Sequence, residues 1–136
     1  MGRIMAIDYG TKRIGIAVTD PLKMIANGLA TVNSVEIMKF LKDYVQKEEV
    51  ECIVVGQPFN LDNSASEMEN NIQAFLVNLK TEFPIMKIDR IDERFTSKIA
   101  NRAIIDAGIK KMDRRDKALA DKVSATIILQ SYLEKL

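Results

Sequence analysis

The stretch RIMAIDYGTKRIGIAVTD, Arg3 to Asp20, decides how the chain is read. Arg3 to Asp8 is short, apolar and strand-like. Ile14, Ile16 and Val18 then alternate with Arg13, Gly15, Ala17 and Thr19. A period of two with β-branched residues predicts a strand over Arg13 to Asp20, and Tyr9-Gly10-Thr11-Lys12 between the two predicts a hairpin turn. A weaker strand near Gly28 to Asn33 extends the hairpin into a three-stranded meander.

Beyond the meander the period changes. Ser34 is a good N-cap, and Val35, Met38, Leu41 and Val45 recur at helical spacing. Glu51 to Val55 reads as a buried strand ending at Gly56, and the polar run Gln57 to Ser64, with Pro58, as a loop. A helix follows from Ser66 to Glu82, with Met68, Ile72, Phe75, Leu76 and Leu79 on one face. Pro84 introduces a strand, Ile85 to Ile91, and two helices close the chain, Ser97 to Ala107 and Lys117 to Leu133. The order βββ-α-β-α-β-α-α predicts an α/β fold: a mixed five-stranded sheet, an antiparallel meander plus parallel strands, flanked by helices.

Composition sets the bounds. At 136 residues, a single domain over 1–136 is expected, long enough to bury about two thirds of its unfolded surface. There is no His and no Trp, and Cys52 is the only Cys. Imidazole bases, Ser-His-Asp triads and Cys/His zinc sites are excluded. Catalysis would rest on carboxylates, Lys, Arg, hydroxyls, backbone groups or a hard metal ion. With 20 basic against 19 acidic side chains, contact with nucleic acid requires a local patch. The lone Cys, the lack of a signal-peptide layout and the lack of any run near the roughly 20 apolar residues of a membrane helix point to a cytoplasmic protein with no membrane partner.

Three acids stand at element ends. Asp8 closes the first strand and Glu93 lies just past the fifth. Asp121 shares its helix face with Ala118, Ser124, Ala125 and Ile128. If they converge, oxygen-only ligands suit Mg²⁺ or Mn²⁺, and a metal can activate water for phosphodiester hydrolysis without any His. Spacing leaves the structural readings open: Asp8 as a turn residue, Asp92 and Glu93 as loop acids beside Arg94, Asp121 paired with Arg115 or Lys117. Lys12 and Arg13 flank Asp8 and could contact phosphates or lie on a solvated hairpin tip. KKMDRRDK, Lys110 to Lys117, holds five basic and two acidic residues; Lys110, Lys111, Arg114 and Arg115 are backbone-contact candidates, and a solvated connection is the alternative. Cys52 reads as core.

Four motifs taken in order, DYGTKRIGIA (Asp8–Ala17), VVGQP (Val54–Pro58), DERFT (Asp92–Thr96) and DKVSA (Asp121–Ala125), resemble the YqgF family over nearly the whole chain. These are Holliday-junction-resolvase-like proteins also described as nucleases of the small-subunit ribosomal RNA precursor. The resemblance implies a ribonuclease-H-like fold, with Asp8, Glu93 and Asp121 as the metal-binding catalytic acids. It implies a monomer or homodimer acting on structured or precursor ribosomal RNA, or on branched DNA. Asn63, where Gly is frequent, and Phe95, where Leu is frequent, depart from the pattern without touching the acids. A resolvase and a non-catalytic nucleic-acid-binding factor are the competing readings. The Asp8-x-Gly10-Thr11 pattern is also similar to the phosphate hairpin of actin-like ATPases, which need a second such domain.

Overall fold

A computed structural model describes residues 2–58, 67–93 and 117–136, with side chains from residue 121 onward in the last stretch. Strands β1 (Arg3–Asp8), β2 (Arg13–Thr19) and β3 (Ala26–Asn33) form the expected meander. A 3-10 turn, Ser34–Glu36, leads into α1 (Ile37–Lys47); β4 (Val50–Gln57), α2 (Met68–Glu82), β5 (Lys87–Asp92) and α3 (Lys117–Lys135) follow. The sheet order is β3-β2-β1-β4-β5. β1 pairs antiparallel with β2 and β2 with β3, whereas β4 lies parallel to β1 and β5 parallel to β4. The mixed five-stranded α/β architecture expected from the periodicities is therefore present.

Alternation along the strands divides the interior into two layers. Met5, Ile7, Ile14, Ile16, Ile53 and Val55 face α1 and α2, meeting Leu41, Ile72, Phe75 and Leu79. Ile4, Ala6, Ala17, Cys52, Val54 and Ile91 face α3, meeting Ala125, Ile128, Leu129 and Tyr132. Cys52 is core, as expected. Ala6, Ala17 and Ala125 lie in the α3 layer, and the helix lies close against β2: a Cβ on Gly15 would collide with the carbonyl oxygen of Asp121. That close approach fixes where Asp121 sits.

Several local expectations are corrected. β3 starts at Ala26 instead of Gly28, because Asp20 closes the preceding turn tightly. Its carboxylate accepts the backbone N–H of Leu22, Met24 and Ile25 at 3.3, 2.9 and 2.8 Å, so Ala26 already pairs with Thr19. Ser34 does not cap α1; it lies in the 3-10 turn, and its hydroxyl donates to the Thr11 carbonyl at 2.7 Å. Val35 is consequently 90% exposed, and the buried face of α1 is set by Ile37 and Leu41. β5 begins at Lys87, since Pro84 and Ile85 form a turn closed by Met86 N–H donating to Phe83 at 3.1 Å. The α2 face matches expectation. The expected helix over Ser97 to Ala107, residues Asn63, Arg94 and Phe95, and most of the Lys110 to Lys117 segment lie outside the described residues. Among the described residues, no helix is long and apolar enough to cross a membrane.

Candidate functional site

Asp8, Gly56 and Glu93 meet where β1, β4 and β5 finish. Asp8 is opposite Gly15 in the β1–β2 register, and Gly56 is opposite Ile91 in the β4–β5 register. Asp8 follows Ile4 and Ala6 at two-residue spacing and so projects to the α3 side of the sheet. Gly56 makes room for the acid beside it. A Cβ there would stand 2.8 Å from Glu93 Oε1 and 2.9 Å from Ile128 Cδ1.

The Asp8 and Glu93 carboxyls hydrogen-bond to one another. Two carboxyls in contact cannot both carry charge cheaply, so the bond implies a shared proton. Burial, reinforced by the charge and hydrogen bond of Glu93 and by the charge of Asp121, pushes the Asp8 carboxyl up to about 8. Burial also raises Glu93, opposed by the hydrogen bond from Asp8 and by the charge of Arg90. Burial and the contact between the two carboxyls thus favour keeping a proton within the pair.

Asp121 joins the group electrostatically but is bonded elsewhere. Arg13 Nε donates to Asp121 Oδ2 at 2.9 Å. Asp121 is thus paired with Arg13 of the β2 hairpin; Arg115 and the Lys117 side chain, the partners considered from the sequence, lie outside the described residues. Lys12 is exposed beside Arg13, and its backbone carbonyl accepts the Ser34 N–H at 3.0 Å. Lys110, Lys111, Arg114 and Arg115, like Arg94, lie outside the described residues.

One residue that local sequence reading missed is Arg90. It lies on the opposite sheet face and makes a bidentate pair with Glu69 of α2, at 2.8 and 3.0 Å. It also donates to the carbonyls of Val55 and Gly56, each at 3.0 Å. Gln73 supplies a further donor to Glu69 at 2.8 Å. The guanidinium therefore clamps the end of β4 under the acid pair and brings positive charge near Glu93. Its alternation within KIDRID gave a hint of its face, but the partner on α2 is not visible in a local pattern.

The donor set suits a hard divalent cation: oxygen ligands only, two of them carboxyls that already crowd one site and share a proton. Asp121 is near enough to interact by charge, yet its carboxylate is engaged by Arg13. Among the described residues, no group of three Asp, Glu, Cys or His side chains is drawn together tightly enough to enclose an ion. The fit is that of a carboxyl pair, with a third acid in reserve. A separate depression of about 330 Å³ opens at the other end of the sheet, over Ile4, Cys52 and Tyr132, away from the acids.

The comparisons with known proteins agree with this architecture. The profile of the family described as "RuvX: Holliday junction resolvase" matches residues 2–135. A protein of Christiangramia forsetii named "Putative pre-16S rRNA nuclease" is 56% identical over 133 residues, covering 98% of each chain. A Bacteroides thetaiotaomicron protein of the same name is 54% identical over 134 residues, covering 98% of this chain and 97% of its own. Among solved structures, Thermus thermophilus RuvC in complex with a Holliday junction superposes with a TM-score of 0.61 at 16% identity, covering 99% of this chain and 96% of that one, a likeness of fold. The resemblance carried by the four motifs is borne out: the chain belongs to the RuvX Holliday junction resolvase family.

Proposed function

We propose that this chain is a divalent-metal-dependent nuclease that trims the precursor end of 16S ribosomal RNA in the cytoplasm, as a single domain. The observation that carries the reading is the buried Asp8–Glu93 carboxyl pair at the strand ends, in a chain whose relatives at more than 50% identity bear a nuclease name. Asp8 and Glu93 would hold Mg²⁺ or Mn²⁺ by giving up their shared proton, with Asp121 as third ligand. When bound, the ion lowers the pKa of attacking water and neutralises phosphate charge. With no His, the chain offers no imidazole that could take a proton from that water. Arg90 holds the floor beneath Glu93, and Lys12 at the hairpin turn contacts the substrate backbone. Arg94, Lys110, Lys111, Arg114 and Arg115 supply further backbone contacts.

The family description favours branched DNA as the second reading. Purified protein with Mn²⁺ or Mg²⁺ is to be given single-stranded RNA, 16S precursor-end RNA and four-way DNA junctions. The account predicts cutting at the precursor end. Paired symmetric cuts confined to the junction would replace it with the resolvase reading and would require a dimer. Salt-sensitive binding without turnover would leave a non-catalytic factor.

A further inference from the structure

The Arg13–Asp121 pair has a consequence for the acid cluster, and it rests on reading that cluster as a metal centre. Arg13 and Gly15 alternate onto the face of β2 that meets α3. At Gly15 the helix backbone rests directly on the strand, so the Arg13 guanidinium, two residues along, lies beside the Asp121 carboxylate and bonds it at 2.9 Å. Asp8, opposite Gly15, is at the same level and close enough to feel the charge of Asp121. Asp8, Glu93 and Asp121 are therefore partly neutralised from within: a proton lies between two of them and a guanidinium on the third. The guanidinium engages Oδ2 of a carboxylate that a divalent cation would also draw on. The pair is half-exposed, 39% for the Arg13 side chain and 26% for Asp121, so it can open without unpacking the core.

We infer that Arg13 is the internal counter-cation of this site: it holds Asp121 while no divalent ion is present, competes with the ion for that carboxylate, and so sets the site's metal affinity. Arg13 is a positioning residue in this role. A purely structural Arg13 would act in the opposite direction, since its loss would loosen Asp121 and weaken metal binding.

The test is calorimetric titration of Mn²⁺ alone into wild type, Arg13→Gln and Arg13→Lys, each first shown to be folded by its thermal transition. Arg13→Gln should bind Mn²⁺ about twofold to fivefold more tightly, the range of competition that an ion pair of this exposure imposes. Arg13→Lys, which keeps the charge, should stay near wild type. In an Asp121→Asn background the Arg13→Gln gain should shrink or vanish, because the contested atom is gone. Unchanged or weaker binding by Arg13→Gln, or a gain that persists in full without Asp121, overturns the inference while leaving the metal centre standing. Failure of wild type and both variants to bind Mn²⁺ saturably overturns the metal-centre reading, and the inference with it.

Discussion

Asp8 concentrates the electrostatic strain of the molecule in one side chain. Its carboxyl is raised from 3.8 to about 8, first by burial and then by Glu93 and Asp121. Between those values the folded chain keeps a proton that the unfolded chain has lost, so the metal-free protein loses stability as pH rises through that window. Asp20, Glu51, Glu69 and Asp89 are shifted down, and their contribution is lost instead as pH falls. Asp8→Asn removes the burdened charge and still offers Glu93 an N–H donor. Urea unfolding in the presence of a chelator should show the variant more stable than wild type at pH 8, by about 1–3 kcal/mol. It should also show a flatter profile from pH 4 to 8. A variant less stable at pH 8 would contradict the buried shared proton.

The elements that place the acids are brought together by a close contact of α3 on β2. Gly15, in RIGIAVT, is where α3 lies directly on β2, a contact that the strand's alternation alone does not reveal. Gly15→Ala should force helix and strand apart, costing about 1–3 kcal/mol in chemical denaturation and weakening metal affinity by displacing Asp121. Gly28→Ala, in β3 and facing the same helix, meets Thr126 Oγ1 at 3.3 Å and Lys122 Cβ at 3.4 Å as its nearest atoms and should cost less. Equal cost at the two positions would show that the Asp121 backbone contact is not the tight one. Boundaries set by tertiary closure were likewise not readable locally. Val35 fits a helical period, yet the 3-10 turn after β3 rotates it into solvent. Ile85 fits an apolar strand, yet the turn after α2 leaves it fully exposed, and β5 enters the sheet only at Lys87 opposite Cys52.

Across the whole molecule, topology followed from the change of period along the chain, since a meander followed by strand–helix–strand units admits few arrangements. Placing three acids at element ends was likewise possible from spacing, because the parallel strands β1, β4 and β5 finish on one side of the sheet. What spacing could not supply were the long-range partners. Arg13 finds Asp121 108 positions away, and Arg90 finds Glu69 across the sheet from the acids; neither pairing leaves a local signature. The absence of His gains meaning at this scale. On the proposed reading, the acid pair would support phosphodiester hydrolysis only with a hard cation in place of its shared proton. The most direct measurement is cleavage of 16S precursor-end RNA in Mn²⁺ by wild type and Asp8→Asn side by side, with folding of both verified. The account predicts Mn²⁺-dependent cutting by wild type and a loss of at least about 100-fold in the variant. Cutting that persists in the variant, or that proceeds in wild type with metal chelated, would contradict it.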